Sequence, residues 1–115
     1  MQRRYPNLCS PIKIGNVTFR NRMFSAPMSG AEITPECNIG SKSTYFYELR
    51  AKGGAALVTV SELMVHPKTD ASHAYHLSTQ TVGSIPSFTY TADAIKRHGA
   101  VASVECSHSG RYAGT

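Results

Sequence analysis

Glu105, Ser107, His108 and Arg111 crowd together near the end of the 115-residue chain, directly after the apolar run Ala100-Val101-Ala102-Ser103-Val104. A carboxylate accepts hydrogen bonds, an imidazole donates and accepts, and a guanidinium fixes anions. A buried strand whose C-terminal end opens into such groups is how α/β enzymes build their sites. Two earlier stretches repeat the arrangement. Residues 23–28 lead into Ser29-Gly30, and residues 55–60 lead into Ser61-Glu62. Together the three ends offer small residues, hydroxyls, two carboxylates and an imidazole, a set able to hold a flat polar heterocycle through side chains and backbone. The plainer account is that Pro27 ends a strand, Glu62 and Glu105 are solvated, and His108 is hydrogen-bonded beneath a loop. Spacing alone favours the plainer account.

The elements that must position these residues follow from periodicity. Residues 8–20 predict a hairpin, in which Ile12 and Ile14 alternate with Lys13, Gly15-Asn16 supplies positive φ for the turn, and Val17 and Phe19 resume the alternation. A first core strand over residues 23–28 is expected to end at Pro27, which cannot donate to a central ladder. Residues 29–41 have loop composition. A helix capped by Ser43 or Thr44 should run to about Lys52, burying Tyr45, Phe46 and Leu49, and should stop at Gly53-Gly54 in the left-handed region. The apolar run over residues 55–60 is a second strand covered on both faces. Residues 62–84 show no period and read as a functional or covering loop. A second helix starts near residues 84–86, with Pro86 in its first turn. Ile85, Phe88, Ala92 and Ile95 form its buried face, Lys96-Arg97-His98 sit at its negative end, and Gly99 terminates it. Residues 100–104 are the third strand.

Hairpin, strand, helix, strand, helix, strand calls for a parallel sheet with right-handed crossovers. Neither crossover carries a G-x-G-x-x-G or a P-loop Lys. A doubly wound sheet satisfies this order. A (β/α) barrel fits it better, because a small hairpin ahead of the first strand can plug a barrel's bottom. A full barrel needs roughly 250 residues, so the expectation is an N-terminal portion, residues 1–115 of an incomplete barrel domain. It would expose a parallel edge if expressed alone.

At 41% hydrophobic and 17% charged, the chain is too apolar for a disordered segment. No stretch approaches the apolar length of a membrane span and the start lacks a signal-peptide core, so cytoplasmic residence and no membrane partner are expected. The net charge of +5 comes from scattered Lys and Arg, apart from pairs such as Arg3-Arg4 and Lys96-Arg97. No basic stripe interleaves with aromatics, which argues against nucleic acid and leaves a phosphate-bearing cofactor equally compatible. Cys9, Cys37 and Cys106 are far apart with no CxxC, which argues against disulfides and structural zinc. His73-x-x-His76 has a spacing that fits one helical turn, but its polar, aperiodic surroundings read as a surface loop and no metal site is expected.

One ordered set of motifs goes further: Leu8-x-x-Pro11-Ile12-Lys13-Ile14-Gly15-Asn16-x-x-x-Arg20-Asn21-Arg22, Ala26-Pro27-Met28, Tyr45-x-Tyr47-Glu48-x-Arg50-Ala51-Lys52-Gly53-Gly54, and His108-x-Gly110-Arg111. In this order the set resembles the Old Yellow Enzyme family, and within it the NADH:flavin oxidoreductases of the 2-enoate and 2,4-dienoyl-CoA reductase branch. The resemblance runs over nearly the whole chain. It implies an FMN-binding (β/α)8 TIM barrel, of which the hairpin, the first three strands and two helices are present.

It further implies that Ala26, Pro27 and Met28 contact the flavin mainly through backbone, and that Ser29 donates its hydroxyl proton near the C4 carbonyl. Ser61-Glu62 would lie near the ring, although Glu62 is bulkier than the small residues usual there. The main departure is Glu105, which stands where Gln commonly pairs with the pyrimidine edge. An ionised carboxylate accepts from N3–H but has no proton for O2. His108 and Arg111 belong to the signature and are expected to hold the loop beyond the third strand rather than take part in catalysis, and Cys106 to fill space.

The catalytic residues and the phosphate grip of the family would lie on later strands, so none is expected here and the piece alone should be inactive. The resemblance implies an FMN-dependent NAD(P)H oxidoreductase that reduces activated C=C bonds of small unsaturated carbonyl compounds or thioesters, with NAD(P)H as hydride donor. This branch often carries an iron–sulfur cluster and an FAD domain further along the chain, and a homo-oligomer of the full-length enzyme is compatible. Two rival readings share the organisation, a phosphate-binding barrel of aldolase or isomerase type and a non-catalytic interaction module.

Overall fold

The computed structural model describes residues 4–66 and 76–112. Its elements in order are β1 (Ile12–Ile14), β2 (Val17–Phe19), β3 (Phe24–Ser29), α1 (Ser41–Lys52), β4 (Leu57–Met64), β5 (Leu77–Ser78), α2 (Ser84–Lys96) and β6 (Val101–Ser107), followed by a 3-10 turn over Gly110–Tyr112.

β1 and β2 pair antiparallel with Ile14 opposite Val17, so Gly15-Asn16 is a two-residue turn. Gly15 alone supplies the positive φ, at 58°, as a turn with glycine in its first central position requires. Phe19 is buried and its ring lies 4.8 Å from that of Phe24. This joins the hairpin to the N-terminal end of β3.

The main sheet is parallel. β4 lies between β3 and β6, and β5 continues beside the far end of β4. α1 and α2 pack against each other and against the sheet, so both crossovers lie on one face. A doubly wound sheet would place helices on both faces; the barrel arrangement is the one observed. The core between helices and sheet contains Tyr47, Ala51, Val58, Val60, Leu63, Ile95 and Ala100.

Several expectations are corrected. α1 begins at Ser41 after Gly40, with no side-chain cap from Ser43 or Thr44. The Glu32 carboxylate instead accepts from the Lys42 N–H, which frees Ser43 and Thr44 to face inward. Thr44 and Thr91 then join α1 to α2 through their hydroxyls at 2.8 Å. The buried stripe is therefore Ser43, Thr44, Tyr47 and Ala51. Tyr45 and Leu49 are exposed, and only Phe46 of the expected trio packs on the core.

At the end of α1, Gly53 stays right-handed and Gly54 takes the positive φ, 117°. α2 ends as expected with Gly99 at φ 80°. Its inner face is Ser84, Thr91, Ala94 and Ile95, with Phe88 and Ala92 partly buried, whereas Ile85 is 77% exposed. The expected long loop contains the short strand β5. Residues 67–75, including His73, lie outside the described residues.

Candidate functional site

All three predicted strands run further than their apolar cores suggested. β3 passes through Pro27 to Ser29, β4 passes through Glu62 to Met64, and β6 carries Glu105, Cys106 and Ser107 within the strand. The chemistry-bearing residues are thus fixed by ladder register rather than hung on loops.

Two β-bulges decide where they face. Ser25 pairs with Val58 and Met28 with Val60, so β3 spends one extra residue, at Ala26-Pro27. Pro27 lacks the N–H that a regular ladder would need, and a bulge on an edge strand tolerates this. In β4 the extra residue falls at Ser61-Glu62, because Val60 pairs with Val104 and Leu63 with Cys106. Val60 and Leu63 both belong to the helix-side core, so Ser61 and Glu62 between them turn to the opposite, inner face. Cross-strand partners share a face. Ser29, paired with Ser61, therefore lies on the inner face with Ala26 and Pro27, while Met28 follows Val60 toward the helices.

The two carboxylates are held reciprocally across β4 and β6. The Ser61 hydroxyl donates to Glu105 Oε1 at 3.5 Å, and the Ser107 hydroxyl donates to Glu62 Oε1 at 3.3 Å. His76, buried just ahead of β5, brings its Nδ1 to 3.8 Å from Glu62 Oε1. The sequence predicts a surface loop at His76, because nothing local signals that β5 docks beside β4. The result is an inner surface of small residues at β3, a hydroxyl-steadied carboxylate at β6 and an imidazole–carboxylate contact at the far end of β4. Glu105 is exposed and can accept from a planar N–H, Ser29 can donate, and the small residues of β3 leave room for a ring. Among the described residues, β3, β4 and β6 themselves bear no Lys or Arg to neutralise a phosphate, and Arg111 lies in the turn after β6.

Helix α1 supplies a further residue. Tyr47 is 1% exposed, and its hydroxyl donates to the Met28 carbonyl at 2.8 Å, with the Ser61 carbonyl at 3.3 Å. Burial pushes its pKa above the ordinary value of 10.0, against smaller lowering effects of the Ser61 carbonyl and the Arg50 charge. The helical spacing of Ser43, Tyr47 and Ala51 was the signal for this face. The larger aromatics at Tyr45 and Phe46 obscured it.

Beyond β6, His108 Nδ1 accepts from the Gly110 N–H at 3.0 Å, a contact within the turn that follows the strand. Arg111 lies over the Tyr112 ring at 4.7 Å. Among the described residues no group of His, Cys, Asp or Glu could hold a metal ion, and no helix is long and apolar enough to cross a membrane.

The profile of the NADH:flavin oxidoreductase / NADH oxidase family matches residues 7–115. The chain belongs to this family. It is 31% identical over 107 residues to an N,N-dimethylglycine/sarcosine dehydrogenase of Chromohalobacter salexigens, covering 90% of this chain and 15% of that one. It superposes on a 2-naphthoyl-CoA reductase with a TM-score of 0.83 at 30% identity, covering 96% of this chain and 17% of the other. The Old Yellow Enzyme of a Pichia species shares the fold, with a TM-score of 0.83 at 20% identity over 93% of this chain and 28% of that enzyme.

The chain therefore spans only a small part of the proteins it resembles, and it carries strands and helices of their TIM-barrel architecture. The family is one of FMN-dependent oxidoreductases that use NAD(P)H, as the motif order implied. The aldolase and isomerase reading is set aside by this assignment.

Proposed function

We propose that residues 1–115 form the N-terminal part of an FMN-binding barrel domain, and that the inner face of β3, β4 and β6 is one wall of the flavin pocket. The observation that carries this is the pair of bulges, which turns Ala26, Pro27, Ser29, Ser61 and Glu62 to the same face as Glu105. Ala26, Pro27 and Met28 contribute backbone and a flat surface, and Ser29 a hydroxyl donor. Glu105 is the acceptor for the pyrimidine N–H, steadied by Ser61. Glu62, drawn toward Ser107 and His76, lines the outer part of the wall. Phosphate neutralisation falls to residues outside these strand ends.

Bound FMN supplies the redox chemistry, hydride accepted from NAD(P)H and delivered to the β-carbon of an unsaturated carbonyl compound or thioester. This chain's residues bind, orient and polarise.

The test is whether the whole protein purifies yellow, with flavin absorbance released on denaturation. Colourless protein that cannot be reconstituted with FMN ends the proposal. In the yellow protein, Glu105→Gln should raise the flavin potential by adding a donor at O2, and Ser29→Ala should lower it by removing one near O4. Unchanged potentials remove the corresponding contact.

A second reading concerns the substrate. Glu62, an inner-face carboxylate not assigned to the flavin, together with likeness to a dimethylglycine/sarcosine dehydrogenase, supports oxidation of a cationic amine. Anaerobic bleaching of the flavin by a secondary or tertiary amine, with no turnover of enones under NADH or NADPH, would select this reading over C=C reduction.

A further inference from the structure

We infer that Tyr47 is a positioning residue, whose hydroxyl bolts the C-terminal ends of β3 and β4 together and so sets the backbone of Met28–Ser29 at the flavin wall. The inference rests on the flavin reading above for its functional consequence, and on the geometry for the bolt itself.

The hydroxyl sits where the sheet is least able to hold itself. β3 ends at Ser29, and β4 exchanges β3 for β5 as its neighbour between Ser61 and Leu63. Each strand also carries a bulge within a few residues of this handover, and bulges interrupt the ladder bonds that would otherwise fix spacing. Tyr47 supplies one donor at this point. Its principal acceptor is the Met28 carbonyl on β3, and the Ser61 carbonyl on β4 shares the same proton at longer range.

The segment after Met28 is held a second time by the same helix. A Cβ on Gly30 would collide with the Ser43 side chain, and Ser43 exchanges hydrogen bonds with the backbone of Glu32. α1 therefore grips residues 28–32 at two points a helical turn apart, with Tyr47 reaching the strand and Ser43 the loop. The raised pKa of the phenol keeps its proton in place at any working pH. A phenylalanine ring would fill the same buried volume, so the hydroxyl's contribution can be isolated.

The experiment compares the whole protein with its Tyr47→Phe variant, using FMN as the probe. Expected are about a tenfold rise in the FMN dissociation constant, equivalent to the loss of roughly one hydrogen bond, a displaced visible flavin band, and faster amide exchange confined to peptides around residues 28–31 and 61–63. Thr91→Val, which removes a buried hydroxyl at the α1–α2 contact, should leave FMN affinity and the flavin band unchanged. Tyr47→Phe with wild-type affinity and spectrum but faster local exchange overturns the positioning role and leaves an ordinary structural hydrogen bond. Equal loss of FMN in Thr91→Val overturns it as well, because the effect would then follow global stability. Wild-type protein that binds no FMN defeats the flavin reading. In that case exchange still judges the bolt, and unaltered exchange in Tyr47→Phe overturns it.

Discussion

Replacing Arg20 should destabilise the barrel wall more than any other single change at an exposed residue. Its Nη2 donates to the carbonyls of Ala51 at 2.7 Å and Ala55 at 2.8 Å, and its Nη1 donates to the His98 carbonyl. Ala51 closes the last turn of α1 and His98 follows the end of α2. One guanidinium thus reaches carbonyls at the ends of both helices and on the chain leading into β4, adding to the Gly54 N–H that Ala51 already accepts.

A hydrogen bond to a charged group contributes about 1.5–3 kcal/mol, and a cation at a helix C-terminus about 0.3–1 kcal/mol. Arg20 is exposed, so solvent screening puts each contact at or below the low end of its range, and the contacts share one side chain. The expected loss for Arg20→Ala is about 3 kcal/mol, spread over the three carbonyl contacts. Arg20→Lys keeps the charge but cannot spread donors over three carbonyls, and should lose about 2 kcal/mol.

Denaturant midpoints of the whole protein at unchanged m-value, with amide exchange at the last turns of both helices, read these losses. A loss below about 0.5 kcal/mol for Arg20→Ala, the range of an ordinary surface substitution, would refute the bracing role. A Lys variant as stable as wild type would refute the need for the planar fork.

Gly30→Ala should cost about 1–3 kcal/mol through overpacking, because its Cβ would meet the Ser43 side chain, and Ser43→Ala in the same chain should recover part of that loss in thermal unfolding. Additive effects of the two substitutions would contradict the close approach. Glu48 accepts from His98 Nε2 at 2.9 Å and lies 3.7 Å from Arg97 Nη1. Its carboxyl is held below the ordinary value of 4.5, chiefly by the His98 hydrogen bond and further by the Arg97, His98 and Lys52 charges, with desolvation opposing. A depressed folded-state value gives stability that is full above the unfolded value and lost as pH falls through the folded one. The stability gap between wild type and Glu48→Gln should therefore hold from neutral pH down to about the unfolded value, then close at lower pH. A gap that stays constant to pH about 3 would count against this ion pair.

The run of Arg20-Asn21-Arg22 shows how much a motif conceals when it is read locally. In sequence it is a polar lead-in to a strand. In the structure Asn21 is buried, donates to the Gly54 carbonyl at 2.8 Å and accepts from the Met23 N–H at 2.9 Å, while Arg20 reaches across both helices. These partners lie more than thirty residues away in sequence for Gly54, Ala51 and Ala55, and no window of local spacing contains them. The ordered motif set identified the family all the same, because it samples residues whose partners are remote without needing to know those partners.

The sequence by itself determined the alternation of strands and helices, the hairpin turn, the glycine stops and the three strand ends where polar residues gather. Each depends on local φ preference or on the period of apolar residues, which neighbours along the chain settle among themselves. Tertiary structure decided which residues face where. It turned Tyr47 inward in place of Tyr45 and Leu49, left Ile85 outside, ran β3 through Pro27 and docked β5 and His76 beside Glu62. Above all it placed the two bulges, because register is a property of pairs of strands and one extra residue moves a side chain to the other face. The carboxylates Glu62 and Glu105 were legible as residues. Their shared inner face, with Ser61 and Ser107 crossed between them, exists only once β4 and β6 are paired.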